Sequence, residues 1–398
     1  MMVDLYMKKE NCCGCTACEN ICPHQAISMK ADTEGFLYPN INTEKCTECQ
    51  LCISVCPLKN KSKNLDNLKI AAVYAVKHKD LNIRMTSSSG GAFTAISDFI
   101  LENNGIVFGA AFNEEFEVVH QRASSKKERE NLKGSKYVQS NLIDIFKEIE
   151  DTLKSDQYTL FTGTPCQTAG LNMYLVKKNI TNFDKLFLCD LVCHGTPSPL
   201  MWKEHIELLE RKEKSRIVEY HCRSKVEGWH AHNELCVYEN GKKDYRSLLS
   251  QKHKNLFYSH NILRPSCYDC QYTNIKRPSD ITIGDYWGIE KCIPDFDDNK
   301  GISLVLINTY KGQKLFENLK THVHYRKSNF QDCMQPQLEH PVIKSPKRDI
   351  FWKDYYEYGY EHILRKYIDY GVKGNFKIFV KKILNKLGLL GLARQLRS

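Results

Sequence analysis

The 398-residue sequence predicts a composite α+β / α/β fold: a small cysteine-rich module at the N-terminal end, an α/β body behind it, and a helical C-terminal tail. Three observations predict it. One cysteine ladder occurs twice before Pro57, strand-loop-helix patterns succeed one another between residues 70 and 212, and apolar residues recur at helical spacing from Phe376 onward. The expected boundaries are 1–60 for the module, 69–150 and 155–328 for two parts of the body, and 329–398 for a basic helical extension. A chain of this length holds about two or three domains, so most of it is something that the small module serves.

Both ladders read C-x2-C-x2-C-x3-C-P: Cys12, Cys15, Cys18 and Cys22-Pro23, then Cys46, Cys49, Cys52 and Cys56-Pro57. That spacing belongs to the 4Fe-4S chemistry of bacterial-type dicluster ferredoxins. Three thiolates from one tight loop hold three irons, and the fourth cysteine, turned away by proline, serves the other cluster. The assignment is therefore Cys12, Cys15, Cys18 and Cys56 for one cluster, and Cys46, Cys49, Cys52 and Cys22 for the second. Structural zinc is the alternative, but it wants two pairs of ligands rather than two runs of four closed by proline.

The N-terminal stretch 1–11 has no apolar run of signal-peptide length, and nowhere do about 18 apolar residues run uninterrupted. With 18 cysteines, the chain is expected to be cytoplasmic, its thiols serving as ligands in a reducing compartment rather than as a disulfide framework. The net charge of +10 is local: Lys373, Lys377, Lys381, Lys382, Lys386, Arg394 and Arg397 crowd the tail, with no acid among them. A nucleic-acid-binding body is not expected.

After a lysine-rich linker (59–69), residues 70–76 read as a strand leading through Arg84 into Ser87-Ser88-Ser89-Gly90-Gly91 and an amphipathic helix over 92–103. A small-residue loop at a helix N-terminus suits a phosphate, and equally an ordinary serine N-cap. Strands over 106–112 and 116–121 precede Gly134-Ser135-Lys136-Tyr137, which offers a lysine and a hydroxyl suited to the same anion. A second unit runs from a strand at 158–161 through Gly163-Thr164-Pro165-Cys166-Gln167 into a helix ending at Lys177. Another runs from a strand at 185–188 through Cys193-His194-Gly195 into a helix over 198–212. Successive units of this kind make neighbouring parallel strands, so Cys166 and Cys193 lie just beyond carboxyl ends, where open α/β sheets bind ligands. Residues 216–222 and 234–238, with an Asn240-Gly241 turn, are β-rich; a helical stretch over 248–263 precedes Cys267-Tyr268-Asp269-Cys270, and a strand over 280–284 delivers Asp285-Tyr286-Trp287-Gly288.

The Cys267/Cys270 pair supplies two ligands from one turn, and Cys166 and Cys193 are the best-placed candidates for two more. On spacing alone a third cluster, zinc, a redox dithiol and plain burial all stay open. Cys189, Cys222 and Cys236 fall inside strands as small buried hydrophobes. Cys13, Cys292 and Cys333 match no ligand spacing.

Taken together, SSSGG (87–91), GSKYVQS (134–140), GTPCQ (163–167), CHG (193–195), RPSCYDC (264–270) and ITIGDYWG (281–288) resemble the coenzyme F420 hydrogenase/dehydrogenase beta-subunit family over residues 70–325. The resemblance implies an oxidoreductase with FAD and an inner 4Fe-4S cluster ligated by Cys166, Cys193, Cys267 and Cys270. Ser88, Ser89, Gly90, Gly91, Lys136 and Thr164 are then parts of the flavin site. The fused two-cluster module is similar to forms that take electrons without the hydrogenase's small subunit. The tail beyond residue 330 resembles that of bacterial relatives encoded near cell-surface polysaccharide genes. The donor is expected to be reduced ferredoxin or a dehydrogenase or hydrogenase subunit, and the acceptor a deazaflavin or another organic molecule. Clusters pass single electrons and a flavin stores two, so the arrangement implied is a wire ending in a two-electron converter.

His194 is the expected proton donor at the acceptor, with His230 and His232 as alternatives, each also readable as a structural histidine. Asp285 and Trp287 either face the flavin or close a core turn. Two rival functions stand beside this one: a non-catalytic electron-transfer subunit, and a reductase in cell-surface polysaccharide biosynthesis. In the tail, Phe376, Phe379, Val380, Ile383, Leu384, Leu387 and Leu390 alternate with Lys377, Lys381, Lys382 and Lys386 as a basic amphipathic helix. It suits docking on the chain's own body, on a partner helix or on an anionic membrane, and the expectation drawn is peripheral, salt-sensitive membrane association.

Overall fold

The computed structural model describes residues 5–60, 67–180 and 182–368; most of the expected linker and the whole of the expected basic tail helix lie outside the described residues. In the module, each ladder closes into a tight loop that enters a short helix, α1 (Ala17–Ile21) after the first and α2 (Leu51–Ser54) after the second. Each helix starts from a left-handed residue, Thr16 (φ 60) and Gln50 (φ 59). Between them runs an antiparallel pair, β1 (Ile27–Ala31) and β2 (Leu37–Ile41).

The body then supplies β3 (Asn67–His78), α3 (Leu81–Thr86), α4 (Ala92–Glu102), β4 (Ile106–Phe112), β5 (Val118–Ala123), α5 (Lys126–Leu132), α6 (Ile145–Lys154), β6 (Thr159–Gly163), α7 (Pro165–Lys177), β7 (Leu186–Leu191) and α8 (Pro199–Glu213). A three-stranded sheet of β8 (Ile217–Ser224), β9 (Asn233–Tyr238) and β10 (Lys243–Asp244) follows, before β11 (Ile281–Asp285), β12 (Ser303–Thr309) and β13 (Val323–Ser328) return to the main sheet. That sheet has eight strands in the order β13-β3-β12-β11-β7-β6-β4-β5. Every residue of β6 and β12 is buried, as befits strands covered on both faces.

β3 pairs with β12 and β13, and β4 lies parallel to β6, so segments 69–150 and 155–328 interleave in a single sheet rather than forming separate cores. The crossover through α7 places β7 parallel to β6, with Gly163 opposite Asp190. Both carboxyl ends therefore open on the same edge. The helical stretch read over 248–263 is shorter, Lys252–Tyr258, because Ser259 to Leu263 leave the helix towards Pro265.

Contacts divide the chain into two units. Met1–Lys203, His221–Asn233 and Leu263–Ile343 make the first; Glu204–Tyr220, Glu234–Ile262 and Lys344–Ser398 make the second. The second contains the helices Arg348–Tyr358 and Tyr360–Tyr367 and a buried polar network, in which Tyr220 donates to Glu234 (2.9 Å) and Tyr360 bonds His205 (3.2 Å). Among the described residues, no helix is long and apolar enough to cross a membrane.

Candidate iron-sulfur centre

Three groups of thiols emerge from the first unit. Cys18 has Cys12, Cys56 and Cys52 as electrostatic neighbours, and Cys15 has Cys18 and Cys56, so the first ladder's leading three cysteines meet the last cysteine of the second. Cys22, Cys46, Cys49 and Cys52 line a cavity of their own. A second cavity, partly open to solvent, is walled by Cys166, Cys193, Cys267 and Cys270, with His194, Arg264, Tyr272 and Arg277, and by a fifth thiol, Cys13.

Local structure aims donors at these sulfurs. The amide of Ala26 donates to Cys22 Sγ (3.3 Å), the amide of Thr196 to Cys267 Sγ (3.4 Å), and the Thr164 hydroxyl lies 3.2 Å from Cys166 Sγ. N–H and O–H groups around ligand sulfur are among the contacts that tune the potential of an iron-sulfur cluster. Burial holds the thiols of Cys18, Cys193 and Cys267 above the usual range and that of Cys270 at about 12, whereas Cys166 is raised first by its bond to Cys13 and then by burial. Such thiols keep their protons until a cation replaces them. Among the described residues, no three His, Cys, Asp or Glu side chains close on a single ion. The ligands at the corners of a cubane stand wider apart than the ligands of one zinc.

Two arginines that spacing does not reveal, Arg264 and Arg277, tie the elements of this centre together. Arg264, 1 % exposed, donates from Nε to the Cys12 carbonyl (2.8 Å), from Nη1 to Gln139 Oε1 (2.7 Å) and from Nη2 to the Leu37 carbonyl (3.0 Å). Its guanidinium stacks over Tyr38 at 4.2 Å, and the thiols of Cys12, Cys13 and Cys267 surround its charge. Arg277 ties the Cys267–Cys270 turn to the end of β7: Nη1 donates to the Tyr272 carbonyl (2.7 Å), Nη2 to the Leu191 carbonyl (2.8 Å), and a buried ion pair joins it to Asp190 at 3.2 Å. The only sequence signal for Arg264 is its place at the head of RPSCYDC.

The flavin candidates are engaged within the protein. Ser303 Oγ accepts from the amides of Gly90 (2.9 Å) and Ala92 (3.4 Å), so at the start of α4 a hydroxyl occupies the position where a phosphate was expected. Ser89 donates to the Ile302 carbonyl (2.7 Å), and Ser88 Oγ accepts from the amide of Ser135 (2.8 Å). Gly91 starts α4 from a left-handed conformation (φ 91). Lys136, pushed down to about 7 by burial, donates to the carbonyls of Asn131 (3.0 Å) and Lys133 (2.9 Å) at the end of α5. In this arrangement the 87–91 loop does not form a phosphate cradle. Thr164 stands beside Cys166, its hydroxyl on that sulfur rather than on the 87–91 loop.

His194 is half-buried on the wall of that cavity. Asp285 is held by Arg223 (2.5 Å) and by the indole of Trp229 (3.2 Å), and Trp229 stacks on Trp287 with centroids 4.9 Å apart. His230 pairs with Asp297 (2.8 Å), and His232 stacks on Trp287.

Residues 156–332 match the family model for the C terminus of the coenzyme F420 hydrogenase/dehydrogenase beta subunit, and residues 11–60 match that of the 4Fe-4S dicluster domain. Among solved structures, the chain is similar to one in the xenon-derivatized F420-reducing NiFe hydrogenase complex from Methanosarcina barkeri. The identity is 16%, 82% of this chain and 96% of that chain are covered, and the TM-score is 0.45. No curated protein matches it. Residues 156–332 thus belong to the coenzyme F420 hydrogenase/dehydrogenase beta-subunit family, and residues 11–60 form an iron-sulfur ferredoxin-like domain at the N-terminal end.

Proposed function

We propose that the protein is an iron-sulfur flavoprotein oxidoreductase that accepts electrons at its ferredoxin-like module and delivers them to an organic acceptor, a deazaflavin or another. Family membership supports the general iron-sulfur redox role. The observation that carries the finer reading is the cavity in which Cys166, Cys193, Cys267 and Cys270 face one another beside the module's own Cys13. Cys12, Cys15, Cys18 and Cys56 would hold one 4Fe-4S cluster, Cys22, Cys46, Cys49 and Cys52 the second, and the four cavity cysteines the third. When bound, such clusters supply one-electron transfer.

The chain's own groups then have separate tasks. Arg264 places a permanent positive charge between two thiol groups, which favours their anionic, metal-bound form. Arg277 and Asp190 hold the Cys267–Cys270 turn on the end of β7. His194, on the cavity wall, is positioned to hold a proton for the acceptor. FAD is proposed from the family motifs, near Ser88, Ser135 and Lys136 rather than on the amides of Gly90 and Ala92. The engagement of those amides favours a second reading, an electron-transfer subunit that relays electrons to a partner dehydrogenase or hydrogenase without turnover of its own.

Anaerobic purification followed by iron, sulfide and flavin quantitation tests both. About twelve irons per chain are expected from three clusters, falling to about eight in Cys267→Ser. Eight irons in the wild type, unchanged by that substitution, overturn the inner cluster. No flavin in the supernatant of denatured protein, even after loading with FAD, leaves only the relay.

A further inference from the structure

One short turn carries the inner cavity to the module. Gln271 and Tyr272 follow Cys270 directly, and both donate to a single acceptor, the carbonyl of Pro57: Gln271 from Nε2 (2.7 Å) and Tyr272 from its hydroxyl (3.0 Å). Pro57 is buried and follows Cys56 directly. Leu58, next along the chain, and Tyr272 both line the inner cavity. A cysteine of the inner group and a cysteine of the module's first group are thus joined through their immediate neighbours.

Both sides of this contact are fixed. On the inner side, the Thr273 hydroxyl donates to the Cys270 carbonyl (2.8 Å), Asn274 Nδ2 to the Gln271 carbonyl (2.7 Å) and Arg277 Nη1 to the Tyr272 carbonyl (2.7 Å). On the module side, the amides of Lys59 (3.2 Å) and Asn60 (3.0 Å) donate to the Cys56 carbonyl, and Asn60 Nδ2 donates to the Ile53 carbonyl (2.7 Å). A carbonyl oxygen has two lone pairs, and at Pro57 one turn supplies a donor for each. A bond that only anchors the module has no need to sit beside a cysteine ladder, whereas these donors and their acceptor each adjoin a candidate ligand. That is where outer-shell partners orient the groups that hold a metal centre.

We propose that Gln271 and Tyr272 are positioning residues that fix Cys270 against Cys56 and so set the electronic contact between the inner group and the module's first group. This rests on the reading that both groups hold 4Fe-4S clusters. In the transfer, one electron leaves the module's group, which is oxidised, and the inner group is reduced by one; Tyr272 keeps its O–H bond and no proton moves. A one-electron step slows steeply as two centres separate, so a rigid contact between their ligand loops favours it. Arg264 holds the module at a different place, the carbonyls of Cys12 (2.8 Å) and Leu37 (3.0 Å), so removing the pair loosens this contact without undocking the module.

The test compares wild type, Tyr272→Phe and the double variant Gln271→Ala with Tyr272→Phe as anaerobically reconstituted full chains, by iron content and by electron paramagnetic resonance of the fully reduced protein. All three are expected to bind the same iron. The double variant is expected to lose most of the spin-spin splitting between the inner cluster and the module, with Tyr272→Phe, in which Gln271 keeps its bond, between it and wild type. Wild-type splitting in the double variant, at full iron, overturns the proposal alone. Should the double variant not fold, Tyr272→Phe decides, since it keeps the ring and loses only the hydroxyl: full iron with unchanged splitting overturns the proposal. Loss of iron from Tyr272→Phe makes the pair a support of the ligand loops rather than of their contact, and also overturns it. Wild type lacking the inner cluster overturns the functional reading and this proposal with it.

Discussion

Lys225 is a buried cation that organises the small-residue loop. Its ammonium donates to the carbonyls of Arg84 (2.6 Å), Ser89 (2.5 Å) and Lys300 (2.7 Å), drawing α3, the loop and the turn before β12 together. Burial, with the charge of Arg84 adding to it, pushes its pKa down to about 7. An unfolded lysine titrates near about 10.4, so between these values the unfolded chain binds a proton that the folded chain has lost, and stability rises with pH across that window. Below about pH 7 both states are protonated and the folded state carries the full penalty of a buried charge. Lys225→Met removes the three bonds and the titration together. It is expected to lower stability by about 1–3 kcal/mol, and the gap to wild type should widen from about pH 7 to about pH 9.5 in thermal melts. A gap that is flat or narrows with pH would mean that the amine keeps an ordinary pKa.

Among the elements, α7 bears most of the geometry of the centre. Pro165 in its first turn and the Thr164–Gln167 capping box start the helix where Cys166 must stand. One turn later, Gly170 faces the module: a Cβ there would lie 2.7 Å from Cys15 Sγ and 2.8 Å from Cys15 Cβ. An isolated glycine within a helical pattern signals such an approach, though not what approaches. Helix propensity favours alanine at this position by roughly 1 kcal/mol, whereas overpacking in a filled core costs about 1–3 kcal/mol. The clash is the larger effect. Gly170→Ala should therefore lower the melting temperature and, by displacing Cys15, the iron held by the module; a gain in stability with iron unchanged would show slack at this contact.

Across the whole molecule, spacing carries what is local. The ladders single out eight cysteines because ligands three or four positions apart share one loop, and strand-helix alternation foretells that β6 and β7 run parallel. Partners from distant segments leave no periodic trace: Arg264 reaches Cys12 across 252 positions, and Arg277 reaches Asp190 across another fold element. The glycines of the 87–91 loop mislead for a related reason. A Cβ on Gly90 would lie 2.1 Å from the Val76 carbonyl oxygen and 2.5 Å from the Ser303 amide, so close strand packing, which no local pattern announces, demands a small residue there. The same long-range contacts make the module part of the body. Ala17, Ile21 and Val55 share one apolar cluster with Phe146, Leu171 and Leu175, and Gln271 donates to the Pro57 carbonyl (2.7 Å). Removing residues 1–66 would expose that cluster and leave the Arg264 guanidinium without the carbonyls of Cys12 and Leu37, and both effects destabilise what remains. A fragment beginning at Asn67 is thus expected to aggregate, or to melt well below the reconstituted full chain, by light scattering and calorimetry. A monodisperse fragment with the melting temperature of the full chain would show instead that the module rests on the body without stabilising it.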